Sequence, residues 1–246
     1  MEKIENVEIL TGRNAIIEAL KSNREINRLL ILQTAKGVEN IVTEARNKKI
    51  PIDFVSKDKL DRISNKSQGI IAYVSPIKYS TLDDVFQRAE ENHELPFILI
   101  LDELEDPHNV GALIRTADAA GIHGVLIPRR HSVQISSTVA KSSAGAIEHV
   151  PIVRIGNLRD TLVELKNRGL WIIGADMDGE KFYDEVDLKI PLAIVIGNEG
   201  HGLRRLTREN CDIIVKIPMR GKINSLNASV AGALLMYESL RQKIRG

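Results

Sequence analysis

Three short polar segments of the chain hold side chains suited to chemistry. The first, DELEDPHNVGALIRTADAAG, carries Asn109 and Arg115. Asn109 stands where a helix is predicted to start, and Asn is a favoured helix cap. Arg115 lies on the helix predicted from Val110 to Ala120, and helical side chains lean toward the N-terminus. An arginine near free backbone N–H groups makes an anion site. The second segment, LAIVIGNEGHGL, sets Glu199 among Gly197, Gly200 and Gly202. Glycines admit close backbone approach to a ligand, while the Glu199 carboxylate would repel a phosphate and suit a cationic or hydroxyl-bearing ligand. The spacing is neither the dinucleotide fingerprint nor a P-loop. In the third, IPMRGKINSLNASVAGALL, Asn224, Ser225 and Asn227 crowd a predicted helix start behind Arg220-Gly221-Lys222. One cap needs one such residue, and the surplus points to a site. Each segment also has a purely structural reading as a cap, a surface arginine or a tight turn.

These segments must be positioned by what precedes them. Short apolar runs at 97–104, 124–128, 149–155, 171–176, 192–197 and 211–218 alternate with helical patterns. That alternation predicts an α/β domain with a parallel sheet covered on both faces. Such sheets bind ligands beyond the carboxyl ends of their strands, where the three segments fall. An earlier unit shows helical periodicity in TGRNAIIEALKS, with Ile16, Ile17 and Leu20 on one face, and strand-like runs INRLLIL, PIDFVS and GIIAYVS. The predicted organisation is a small α/β domain over 1–76, a polar linker carrying a helix over 77–95, and a larger α/β domain over 96–246.

Composition limits the alternatives. The 246 residues are 43% hydrophobic, enough for a substantial core, and the single cysteine, Cys211, excludes an intramolecular disulfide framework and a multi-cysteine zinc site. His108, His123, His131, His149 and His201 show no ligand spacing, so no metal is expected, and no Ser–His–acid set is apparent. No apolar run reaches membrane-span length and the start lacks a signal-peptide core, which leads us to expect a cytoplasmic protein without a membrane partner. Net charge is only +1, but six basic residues against two acids between His201 and Lys222 suit a phosphate-contacting face.

NVGALIRTADAAG, IVIGNEGHGL and IPMRGKINSLNASVA, in that order, resemble the three signature motifs of the SpoU/TrmH family, in the SPOUT superfamily of RNA 2′-O-methyltransferases. TGRNAIIEAL, SQGIIAYV and LRRLTRENCDIIVKIPM resemble its 23S rRNA guanosine branch. The resemblance implies a catalytic domain with a trefoil knot, an N-terminal RNA-binding domain, and a homodimer whose active site is completed across the interface. It implies S-adenosylmethionine as methyl donor, contacted by Gly197, Ile217 and Leu226 largely through backbone groups, with Ile196, Met219 and Ala231 around the adenine. Asn109, Arg115, Glu199, Ser225 and Asn227 would be the catalytic set, and a guanosine in the peptidyl-transferase region of 23S rRNA the target. Two positions depart from the family pattern: Ser67, where histidine is frequent before Gln-Gly, and Ala228, where valine is common. Other readings stay open: a tRNA ribose methyltransferase, an antibiotic-resistance enzyme acting elsewhere on rRNA, a non-catalytic RNA-binding ribosome-assembly factor, and, from the α/β pattern alone, a nucleotide-dependent dehydrogenase.

Overall fold

The computed structural model describes residues 8–21, 26–64, 67–74, 78–198 and 200–245. The chain divides into two compact units, one formed by Met1–Lys78 with Gln134–Thr138, the other by Tyr79–Val133 and Val139–Gly246.

The first unit runs β1 (Glu8–Thr11), α1 (Arg13–Lys21), β2 (Ile26–Leu32), α2 (Glu39–Asn47), β3 (Ile52–Val55), α3 (Lys57–Asp61) and β4 (Ile70–Val74). Its sheet has the order β1-β4-β2-β3, with β4 antiparallel to β1 and β2, and β2 parallel to β3. Alternation along β4 explains why every residue of it is buried. Ile70, Ala72 and Val74 join Ile16, Leu20 and Ile41 from α1 and α2, while Ile71 and Tyr73 join Val55 and Leu60 from α3. The strand β1, which the sequence reading did not anticipate, completes one edge.

The second unit contains α4 (Leu82–Glu91), β5 (Phe97–Leu101), α5 (Pro107–Ala119), β6 (Gly124–Pro128), α6 (Ser137–Ser142) from Val139 onward, β7 (Ile152–Ile155), α7 (Leu158–Asn167), β8 (Trp171–Ala175), β9 (Lys181–Phe182), β10 (Leu192–Ile196), α8 (Arg205–Glu209), β11 (Ile213–Lys216) and α9 (Ala228–Arg245). Its seven strands are ordered β7-β6-β5-β10-β8-β11-β9, and each pair is parallel. The continuous apolar runs FILIL and LAIVI are buried throughout, as a sheet covered on both faces requires. One layer of its core sets Leu158, Leu162 and Leu165 of α7 and Val85 of α4 against Ile98, Ile100 and Val195. Thus α4, within the segment read as a linker, contributes to the core of this unit. It is started by a reciprocal capping box, Thr81 with Asp84.

The strand order fixes where a site can lie. β5, β10, β8 and β11 are consecutive and parallel, so their carboxyl-terminal turns share one edge. On that edge α9 packs against α5. A side chain at Gly232 would begin 2.4 Å from Cδ2 of Leu113, so this glycine lets the two helices approach.

Candidate active site

The turn after β5 is held by charge. Asp102 is buried, and its carboxylate accepts from the Arg204 backbone N–H at 3.4 Å and from the Arg204 guanidinium at 3.2 and 3.3 Å. Glu103 pairs with the same arginine at 2.9 Å, and its backbone carbonyl accepts from the Asn198 side chain at 3.0 Å. Asp106, not Asn109, caps α5: its carboxylate accepts from the His108 N–H, and Pro107 takes the first helical position. The helix therefore starts three residues before the expected Val110, and Asn109 sits inside its first turn, buried. Proline favours the N1 position, which places the helix start at Pro107.

The turn after β10 closes on itself. Asn198 and Gly202 exchange backbone hydrogen bonds of 3.1 and 2.9 Å, and the Asn198 side chain accepts from the Gly200 N–H at 2.8 Å. A side chain at Gly197 would meet the Gly202 carbonyl at 2.4 Å. The glycine expected to admit a ligand thus also admits the backbone of its own loop. Gly202 has φ +66, a left-handed conformation that favours glycine. Glu199 lies outside the described residues.

The third turn ends in a cap. The Asn227 side-chain oxygen accepts from the Ser229 N–H at 2.9 Å, and its amide N–H donates to the Asn109 side-chain oxygen at 2.9 Å. One asparagine thereby starts α9 and ties it to α5, joining the first and third polar segments through a direct bond.

A cavity of about 330 Å³ lies among the turns after β8, β10 and β11, within the size range of small-molecule sites. Ile196, Gly197, Ile217, Met219, Ser225, Leu226 and Ala231 all line it. Arg115 does not; it is exposed on α5. The turn after β8 also enters the wall through Asp176 and Asp178, with Arg208 beside them. This turn is not among the three polar segments that stand out in the sequence, although the same strand-end rule that selects those three points to it. Among the described residues no group of three His, Cys, Asp or Glu side chains could hold a metal ion, and no helix is long and apolar enough to cross a membrane.

Comparison with known proteins decides the family. The model of the SpoU rRNA methylase family matches residues 96–237. The chain belongs to the SpoU methylase family. A second model, for the substrate-binding domain of RNA 2′-O ribose methyltransferases, matches residues 9–80. A Bacillus subtilis protein assigned to the TrmH family of tRNA/rRNA methyltransferases is 48% identical over 235 residues, covering 94% of each chain. A Staphylococcus saprophyticus protein with the same assignment is 45% identical over 238 residues, covering 96% of each. The crystal structure of the SpoU methyltransferase AviRb from Streptomyces viridochromogenes, in complex with the cofactor AdoMet, superposes with a TM-score of 0.64 at 26% identity, covering 97% of this chain and 91% of that one. An AdoMet-bound rRNA methyltransferase from Sinorhizobium meliloti gives a TM-score of 0.61 at 25% identity, covering 95% and 86%. The protein is an RNA methyltransferase of the SpoU/TrmH family.

Proposed function

We propose that the protein methylates a ribose 2′-hydroxyl of RNA, a guanosine in the peptidyl-transferase region of 23S rRNA, with S-adenosylmethionine as donor. The observation that carries this reading is the convergence on one cavity of Ile196, Gly197, Ile217, Met219, Ser225 and Leu226, beside the Asn109–Asn227 bond. The cavity fits the donor in chemistry. Aliphatic Ile196, Ile217 and Leu226 suit a purine face, and Asp176, Asp178 and Ser225 supply acceptors for hydroxyl and ammonium groups. When bound, the donor supplies a methyl group on a sulfonium. The residues of the chain supply position, which accounts for much of the rate enhancement of a transfer between two held reactants.

Asn109 and Asn227, locked to each other, fix the start of α9 against α5 and so set the wall formed by Ser225 and Leu226. Glu199, in the glycine loop, orients neighbouring groups and favours a cationic donor. Arg115 clamps an RNA phosphate, since a guanidinium keeps its proton and a neighbouring phosphate oxygen is the easier proton acceptor. Its exposure, away from the cavity of its own chain, supports a site completed by a second copy. So does an exposed apolar stripe on α9, Val230, Leu234 and Tyr237, at helical spacing. The homodimer, the trefoil knot, the cytoplasmic setting and RNA binding by the N-terminal domain (read over 1–76, ahead of a 77–95 linker) belong to the same proposal. The test is transfer of labelled methyl to unmodified 23S rRNA and to tRNA, with the product nucleotide mapped. Label on one ribose 2′-oxygen of 23S rRNA is the expected result, and label on tRNA alone would replace the target by the tRNA reading. Arg115→Ala is expected to lower turnover at least a hundredfold, on the order of one lost positioning or charge-stabilising contact; unchanged turnover would remove Arg115 from the set.

A further inference from the structure

The carboxylate of Asp176 sits at the end of β8, in the cavity wall, with its side chain only 9% exposed. Its Oδ1 accepts from the Asp178 N–H and from the Arg208 guanidinium, each at 3.2 Å. Its Oδ2 accepts only a long bond, 3.4 Å from the Leu203 N–H. A carboxylate offers about four acceptor positions, so Oδ2 retains capacity in a residue that lines the cavity. Arg208 is itself held by the Asp178 carbonyl at 3.1 Å. Its guanidinium also lies 3.8 Å from the Asp178 carboxylate, so the pair is braced while one cation serves two acids.

We propose that Asp176 binds the ribose hydroxyls of the methyl donor and, through Arg208 and Leu203, holds the glycine loop around them. This rests on the donor reading above. Three features select the ribose. The aliphatic residues Ile196, Ile217 and Leu226 account for the purine, and the ribose is the group joined directly to it. An acceptor-only oxygen requires a hydroxyl or N–H partner. Arg208 lies closer to Asp176, at 3.2 Å, than to Asp178, at 3.8 Å, so Asp176 is the better compensated of the two acids and suits uncharged hydroxyls, leaving Asp178 the readier partner for an ammonium. Acid–ribose pairing is a general solution to this chemistry, used in dinucleotide sites of unrelated fold.

The test is calorimetric binding of S-adenosylhomocysteine, of its 2′,3′-dideoxy analogue and of its deaminated analogue, to the wild type and to Asp176→Asn. Removing the hydroxyls is expected to weaken wild-type binding ten- to a hundredfold, the range of a hydrogen bond to a charged acceptor. Asp176→Asn should weaken the parent compound by a similar factor and leave the dideoxy analogue within about threefold of its wild-type affinity, the coupling that a double-mutant cycle isolates. Equal wild-type affinity for the parent and dideoxy compounds would overturn the proposal even if the variant did not fold. It would equally fall if Asp176→Asn weakened both compounds alike, or if the coupling followed the amino group instead. No binding of S-adenosylhomocysteine to the wild type would instead refute the donor reading itself.

Discussion

Gly197→Ala tests whether the cavity depends on the self-closed loop after β10. The added methyl would begin 2.4 Å from both the carbonyl carbon and oxygen of Gly202 and 2.6 Å from the Leu203 nitrogen. These are backbone atoms, so no rotamer change relieves the contact. Overpacking of this kind costs about 1–3 kcal/mol. Separating Gly202 from Gly197 also strains the two Asn198–Gly202 backbone bonds, worth about 1 kcal/mol each. The sum is roughly 3–5 kcal/mol. Charged against the binding-competent loop, that is about a 150- to 5,000-fold loss of affinity for S-adenosylhomocysteine. Charged against the whole unit, it is a melting-point loss of roughly 6–20 °C. Gly200→Ala is the internal control. Among the described residues its methyl would meet only the Asn198 side-chain oxygen, at 3.3 Å, and its affinity should stay within about threefold of wild type. Isothermal titration and scanning calorimetry on both variants read the two quantities. Wild-type affinity and melting point in Gly197→Ala would refute the geometry. Equal losses in the two variants would mean that loop rigidity, and not this contact, is what matters.

Two predictions concern buried titratable groups. Burial pushes the Cys211 thiol from 9.0 up to about 12, and its Sγ donates to the Thr207 carbonyl at 3.3 Å. With the thiolate about a thousandfold scarcer than in a free thiol, disulfide-reagent labelling near pH 8 should be slower by about that factor, and a rate within tenfold of a free thiol would contradict it. His123 is buried; its Nδ1 accepts from the Phe97 N–H at 3.0 Å, and its Nε2 lies 3.0 Å from Glu94 Oε2. Burial lowers its pKa despite Glu94, with Lys243 and Arg88 adding to the lowering. The unfolded chain therefore binds a proton more readily than the folded one, and this part of the stability, present above the ordinary histidine pKa of about 6.5, is lost as pH falls below it. His123→Asn keeps an acceptor near Phe97 and should flatten the fall of melting temperature between pH 7.5 and 5; an unchanged slope would assign the acid sensitivity elsewhere.

The fold was legible where one period dominated. INRLLIL becomes β2 and GVLIP becomes β6, because apolar runs bounded by turn residues have few other uses in an α/β chain. The edges were not legible. β1 is four residues and β9 two, and Ile9 and both residues of β9 are exposed, so neither carries a clear alternation to read. Strand order was hidden too. Nothing local states that β10 lies between β5 and β8, since that insertion is set by which faces α5, α7 and α9 cover.

The site divides along a different line. Residues whose type implies a contact with their own turn stand out in the sequence, because a strand end, a glycine and a cap-forming side chain advertise themselves. Residues whose role depends on a partner far along the chain do not. Asp176 is an ordinary acid in ADMDGE until β11 and α8 bring Arg208 to it across 32 residues of sequence. Asn109 looked like a cap until Asp106 took that place and Asn227, 118 residues later, took its side chain. The cap at Asn227 has a consequence for the chemistry. Its oxygen is committed to Ser229 and one amide hydrogen to Asn109, so the side chain cannot turn toward a substrate without uncapping α9, a loss of about 1 kcal/mol. In the proposed reaction Asn227 would therefore act on the cavity through the helix it starts. In the proposed reaction, direct contact with RNA phosphate would fall to exposed side chains such as Arg115, which have no such commitment within their own chain among the described residues.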